Sequence, residues 1–364
     1  MNIAAAANED LASISNVLIY SAMAVYTLAF LAHITEWVFG SRSKVGRTAA
    51  ALTSHTVTAP PAAVTVTATR KAGGTTVMER AEVTTRSATG SRDVPDGPGA
   101  AAGDEKGELY GWIAISLTVL AFLVHLGGVV ARTLSVQRAP WGNMYEFSTT
   151  FSLVAVGGYL LFLVLGKNIR WIGLPLVTSV LLDLGLAVTV LYTDSDQLVP
   201  ALHSYWLWIH VSCAIISGAM FYLGALATVL YLFRDRYETK LASPQGKQPG
   251  LAASSILGRL PAAASLDKFA YRINAVIFPL WTFTIIAGAI WAEAAWGRYW
   301  GWDPKETWSF ITWVAYACYL HARATAGWKG RKAAYLVLIA FACFIFNYYG
   351  VNMFITGLHS YAGV

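Results

Sequence analysis

The sequence predicts an all-α, polytopic bundle of about eight transmembrane helices, with the N and C termini on the outer face. Three observations lead there. Of 364 residues, 56% are hydrophobic and 13% charged, with a mean hydropathy of +0.51, whereas a soluble chain carries about 25% charged residues. Apolar runs near the length needed to cross a membrane recur along the chain, about 20 residues each. Basic residues collect in a few loops between those runs, as cytoplasmic loops do. The net charge of +6 is therefore a topology signal. No nucleic-acid partner is expected, and lipid is the surrounding medium.

The elements follow in order. Residues 14–39 read as the first helix, carrying His33. Arg42, Lys44 and Arg47 follow at once and place that end in the cytoplasm, so the N-terminus lies outside. That terminus is not basic and the run is long enough to span, so no cleavable signal peptide is expected. The first unit is thus 1–39. Residues 40–108 are rich in Ala, Thr, Val, Gly and Ser, include Pro60, Pro61, Pro95 and Pro98, and hold no lasting periodicity. They read as a disordered cytoplasmic linker, in which His55 has no expected role. Residues 109–364 read as a seven-helix domain.

Within that domain, helix two covers 110–131 with His125 in its outer half, and the short outer segment ARTLSVQRAPWGNMYEF follows. Helix three, 147–166, is closed by Lys167 and Arg170. Helix four, 171–192, contains Asp183. An outer loop with Asp194, Asp196 and His203 leads into helix five, 205–233, with His210 near its outer end. Residues 234–268 are basic and cytoplasmic, and their second half has the pattern of an amphipathic helix lying along the interface. Helix six covers 270–292, and a Trp-rich loop at 293–308 is then outside. Helix seven, 306–325, carries His321 and ends at a basic turn with Arg323, Lys329, Arg331 and Lys332. Helix eight, 333–356, returns outside and ends in GLHSYAGV with His359.

The chemistry concentrates in WAEAAWGRYWGWDPKETWSFITW, residues 291–313, which holds six of the 14 Trp. An interfacial aromatic belt scatters its Trp over many helix ends; here they crowd into one loop, with Gly297 and Gly301 between them. The expectation is a flat aromatic platform of Trp296, Trp300 and Trp302 that stacks on a planar ligand, with haem the first candidate. Asp303 and Glu306 flank Pro304 as a helix N-cap and third helical residue would, and Glu306 is equally a candidate for the ligand's edge. Arg298 is a candidate for a propionate or a solvated loop charge. His210 and His359 fall on the same face as the loop. Imidazole is a common axial ligand of haem iron, so these two are the expected axial pair, with His203 as the spare. His321 lies within a span, where an ionisable residue is a functional candidate. It could pair with His33 around a second haem or with a histidine of another subunit. His125 and Asp183 are readable as internal hydrogen-bonding groups. Cys213, Cys318 and Cys343 lie in apolar segments without a CxxC, so no dithiol chemistry is expected of this chain.

At these residues the sequence resembles a known family. WGRYWGWDPKETWSFITW is similar to the tryptophan-rich WWD signature of haem-handling proteins in cytochrome c maturation. PWGNMYEF, LVPALHSYWLWIHVS, YLHARAT and GVNMFITGLHSYAGV extend the likeness over about residues 110–364, toward the CcsA/ResC branch of the system II pathway, called CcsB in some bacterial lineages. The resemblance implies a haem export and presentation subunit of a cytochrome c synthase. Such a subunit works with a ResB-type membrane partner and receives apocytochrome c whose CxxCH thiols a thioredoxin-like protein has reduced. It implies haem b as the transported ligand, His210 and His359 as the outer pair, and His321 as a membrane-embedded ligand whose partner the ResB-type subunit supplies. A bacterial plasma membrane is the expected setting. Two other readings stay open: a quinone-linked electron-transfer subunit with bis-His haem, and a transporter of another planar solute.

Overall fold

The computed structural model describes residues 8–39, 98–196, 204–243 and 256–359. His55, His203 and most of the stretch read as a linker lie outside them. Among the described residues the chain is helical without strands. The helices are α1 (Glu9–Phe39), α2 (Pro98–Val136), α3 (Met144–Val164), α4 (Gly173–Thr189), α5 (Tyr205–Ala242), α6 (Ala263–Trp296), α7 (Pro304–Ala324) and α8 (Arg331–Ile345). A π turn, Phe346–Gly350, and a last helical turn, Val351–Phe354, continue α8. All except α7 are long and apolar enough to cross a membrane, so this is an integral membrane protein. The less apolar α7 runs between the same two ends, from the Trp loop to the Arg323–Asp267 ion pair at the start of α6.

Two boundaries differ from expectation. The second helix begins at Pro98, inside the stretch assigned to the linker. Of the segment read as amphipathic before helix six, residues from 256 on are described: α6 starts at Ala263, and Leu260, Ala263 and Leu266 are buried in the bundle core, while Ile256 is 54% exposed.

Packing fixes which ends meet. Helices α1 and α2 pack closely because small residues face the seam: Ala22, Ala29 and Ala121 are fully buried, and Ser15 Oγ donates to Gly128 O at 2.7 Å. The Asn8 amide donates to Ser135 O at 2.8 Å, so the start of α1 meets the end of α2. The same end of the bundle gathers the α2–α3 connection, the start of α5, the Trp loop and the C-terminal segment. The opposite end holds the ion pairs Arg323–Asp267, Arg331–Asp235 and Arg234–Glu238. The first and last described residues thus share one face.

The polar residues inside the spans are engaged internally. His33 sits fully buried among α1, α2 and α4, near Thr118 Oγ1 at 3.4 Å and Glu36 at 3.5 Å. His125 faces Tyr26 OH at 3.4 Å. Asp183 accepts hydrogen bonds from Ser152 at 2.6 Å and Tyr349 at 2.6 Å, and a longer one from Ser148 at 3.4 Å.

A buried charge cluster clamps the α2–α3 connection. Glu146, 0% exposed, accepts from Arg132 Nε at 2.9 Å, from Arg138 Nη1 at 2.7 Å and from the Gly142 amide at 2.8 Å. The two arginines also donate to the carbonyls of Thr193 and Asp196, which ties the chain after α4 to the segment Trp141–Met144. Removing one partner of a buried pair strands the other charges, at about 3–5 kcal/mol. Glu146→Ala is therefore expected to lose stability on that scale, read as a large drop in the melting temperature of detergent-solubilised protein. A melt within a degree of wild type would contradict the clamp.

Candidate functional site

The Trp loop is built by the ends of α6 and α7. Gly297 closes α6 in the left-handed region, φ +70°, a conformation glycine adopts without steric cost. Asp303 then opens α7 as its N-cap, with Pro304 at the first helical position. Its carboxylate accepts from the Lys305 amide at 3.2 Å, and Glu306 reaches back to the Asp303 amide at 3.1 Å, completing a capping box. Glu306 also accepts from the Gly301 amide at 2.8 Å and Arg298 Nη1 at 3.1 Å. The Arg298 guanidinium fills the space that a side chain at Gly301 would need. Gly301 thus makes room for Arg298, not for a ligand, and Arg298 is committed to Glu306.

The capping residue has a second task. Asp303 Oδ1 accepts from the Leu358 amide at 2.7 Å, and Oδ2 lies 2.7 Å from His359 Nδ1. The cap of α7 thereby holds the C-terminal segment and aims its histidine. Burial alone would raise the Asp303 carboxyl, but the hydrogen bonds from His359 and from the Leu358 and Lys305 amides hold it below its ordinary value. Burial pushes the His359 imidazole below its ordinary value, and Asp303 offsets only part of this. At neutral pH the pair is an ionised carboxylate and a neutral imidazole. The carboxylate can only accept, so the ring proton sits on Nδ1 and the lone pair on Nε2.

His210, near the start of α5, is held the same way from another helix. Its Nδ1 lies 2.8 Å from Thr284 O on α6. A carbonyl only accepts, so Nδ1 carries the proton and Nε2 the lone pair. Gly288 makes this approach possible, since a Cβ there would come within 2.7 Å of the imidazole.

The two imidazoles meet around Trp291, which is 1% exposed. His210 stacks on it with centroids 6.0 Å apart and planes at 14°. His359 meets its edge at 5.9 Å and meets Trp296 at 5.0 Å. Both histidines line one cavity, whose empty space of about 1110 Å³ includes open solvent at its mouth. Its walls include Trp141, Trp281, Trp291, Trp296 and Trp300, and its rim reaches the surface at Tyr299, 61% exposed.

The rings do not form the flat platform expected. Trp296 meets Trp291 at 62° and Trp300 meets Trp302 at 88°, because aromatic quadrupoles favour edge-to-face packing. The result is a concave, walled cavity. Trp302 is not part of that wall: it is 66% exposed, at a φ of +59°, with its edge on Phe310. Asp303 acts through His359, and Glu306 lines the cavity while bonded to Arg298. His321 is exposed on α7, whereas His33 is fully buried. Trp291, Thr284, Gly288, Lys305 and Asn347 were not singled out from the sequence. The first three recur on α6 with Trp281 at spacings of three and four residues, a helical stripe that could have revealed them.

The donor set suits a planar iron ligand: two neutral imidazoles with fixed tautomers, aromatic walls, and a mouth to solvent. Residues 113–359 match the family model described as cytochrome C assembly protein. Proteins named cytochrome c biogenesis protein CcsA are similar over most of their length. The one from Trieres chinensis is 37% identical over 273 residues, covering 68% of this chain and 84% of that protein. The one from Synechococcus sp. (strain JA-3-3Ab) is 35% identical over 299 residues, covering 70% and 84%. The one from Synechocystis sp. (strain ATCC 27184 / PCC 6803 / Kazusa) is 34% identical over 291 residues, covering 68% and 86%.

Proposed function

This chain belongs to the CcsA family of cytochrome c biogenesis proteins, and we propose that it presents reduced haem b at the outer membrane face for thioether attachment to the CxxCH motif of apocytochrome c. One observation carries the reading: His210 near the start of α5 and His359 after the last helical turn flank Trp291 on the wall of a single cavity, each with Nδ1 anchored. Anchoring the far nitrogen orients a ligating imidazole and raises its basicity. The two Nε2 atoms would hold the haem iron, and Trp296 and Trp300, which line the cavity, would pack against the macrocycle.

The thioether forms when a cysteine S–H adds across a haem vinyl group, sulfur to one carbon and hydrogen to the other, so the addition needs no electron acceptor. The chain contributes proximity and orientation and an axial field that sets the iron's redox state. No dithiol is at hand among the described residues, where Cys213, Cys318 and Cys343 are separate free thiols. A thioredoxin-like partner therefore delivers the CxxCH thiols reduced. The exposure of His321 on α7 supports a membrane ligand completed by a ResB-type subunit. The basic loops support a cavity on the outer side of the membrane, read here as the outside of a bacterial plasma membrane.

The test is a reduced-minus-oxidised absorption spectrum of the purified protein, co-purified with its partner and supplemented with haem. Sharp bis-His bands are expected, and they fade in the His210→Ala/His359→Ala double mutant. A haem-free wild type would overturn the reading and return the Trp loop to an interfacial belt.

A further inference from the structure

We propose that Lys305 is the counter-charge that orients the ligand, its ammonium taking a propionate carboxylate of haem; this rests on the haem reading above. Lys305 and Glu306 are the charged side chains among the cavity-lining residues other than the two neutral histidines. Glu306 is spent on Arg298 and on the amides of Gly301 and Asp303. Asp303 is spent on His359, Leu358 and the Lys305 backbone. No carboxylate among the described residues lies within ion-pair distance of Lys305 Nζ. Burial pushes the Lys305 amine down to about 7, offset in part by the charge of Asp303 from beyond ion-pair distance, and an acidic ligand in the cavity would favour the charged form.

The backbone is arranged to hold this ammonium in place. In the π turn after α8, the Val351 amide bonds Phe346 O, one residue further back than in an α-helix. It thus bypasses the Asn347 carbonyl, which accepts from Lys305 Nζ at 2.9 Å. π turns inside helices recur at functional sites. The ammonium has three donors, and Asn347 O takes one. The Tyr348 ring lies 5.8 Å away. Beside it the Asn347 side-chain oxygen, in a residue 7% exposed, is buried without a hydrogen-bond partner. That oxygen can only accept, so on this wall of a largely apolar cavity the ammonium is the group that can meet a carboxylate. Arg298, the loop's other cation, is already paired. Haem carries its propionates and its vinyls on different edges, so a carboxylate pinned at Lys305 decides which edge is left for the apocytochrome thiols.

The full-length protein in detergent is titrated with haem and with haem dimethyl ester, which lacks the carboxylates, and binding is followed by absorption. Wild type is expected to bind haem roughly 10- to 100-fold more tightly than the diester, as a charge-assisted bond implies. Lys305→Met is expected to lose that preference, with diester affinity and the bis-His bands unchanged, and Lys305→Arg to restore it. Equal binding of haem and diester by wild type overturns the role of Lys305 while leaving the haem reading intact, and this comparison needs no variant. A Lys305→Met protein that still prefers haem overturns it too. Wild type that binds neither compound overturns the haem reading and this proposal together.

Discussion

A strain carrying His210→Ala or His359→Ala in place of the wild-type chain is expected to make no covalently haem-stained cytochrome c, with the membrane level of the mutant protein unchanged. On the proposed reading each histidine would offer the iron one Nε2 lone pair, and the other imidazole would not replace it because its own Nδ1 is tied to a different element, Thr284 O for His210 and Asp303 for His359. A single truncation would therefore break the proposed pair and let the haem turn away from the thiols. His359 follows the last turn of α8 and His210 sits in the second turn of α5, so truncating either removes no core side chain. Exogenous imidazole supplies the missing ligand to a His359→Gly variant and is expected to restore part of the staining. Normal staining in either alanine strain would sink the axial assignment. Staining that is lost but never rescued, in protein that melts early, would reassign the residue to structure.

The helices were legible because membrane spans write themselves as uninterrupted apolar runs, and the shared end was legible because basic loops alternate with those runs. The capping box was legible in Asp303-Pro304-Lys305-Glu306, since its chemistry is local. The second role of Asp303 was not, because Leu358 and His359 lie 55 and 56 positions away. Trp291 was hidden for a related reason. It belongs by sequence to the Trp-rich run, but by packing it is the buried core between two histidines. The density of Trp suggested a plane, and edge-to-face packing made a cavity instead. Trp302 illustrates how composition misleads: it sits in the heart of the motif and turns outward. Lys305 looked like an ordinary residue of a first helical turn until the π turn, which no short-range pattern announces, brought Asn347 O to it.

Asp303→Asn is expected to weaken haem binding at the outer site by roughly 10- to 100-fold, the usual effect of removing an outer-shell carboxylate, while costing little stability. The asparagine oxygen still accepts an amide N–H, and Asn is as good an N-cap as Asp, so α7 remains capped. What changes is the charge behind His359 and the group facing Leu358. The Lys305 amide and His359 Nδ1 share one carboxylate oxygen, Oδ2, and the Leu358 amide takes the other. An asparagine that keeps its oxygen at the cap keeps it at His359 Nδ1 too, but the acceptor is then a neutral amide, which leaves the imidazole less basic, and its NH₂ meets the Leu358 amide donor, which loosens the segment that carries His359. Asp303→Ala removes the cap as well, at about 1 kcal/mol, and frees the Leu358 amide, so it is expected to lower both affinity and melting temperature. The two variants thus separate the tasks that one side chain performs. Haem titration and a thermal melt on each make the comparison. If Asp303→Asn binds haem like wild type while Asp303→Ala does not, the carboxylate is a cap alone, and the orientation of His359 comes from its packing against Trp291 and Trp296.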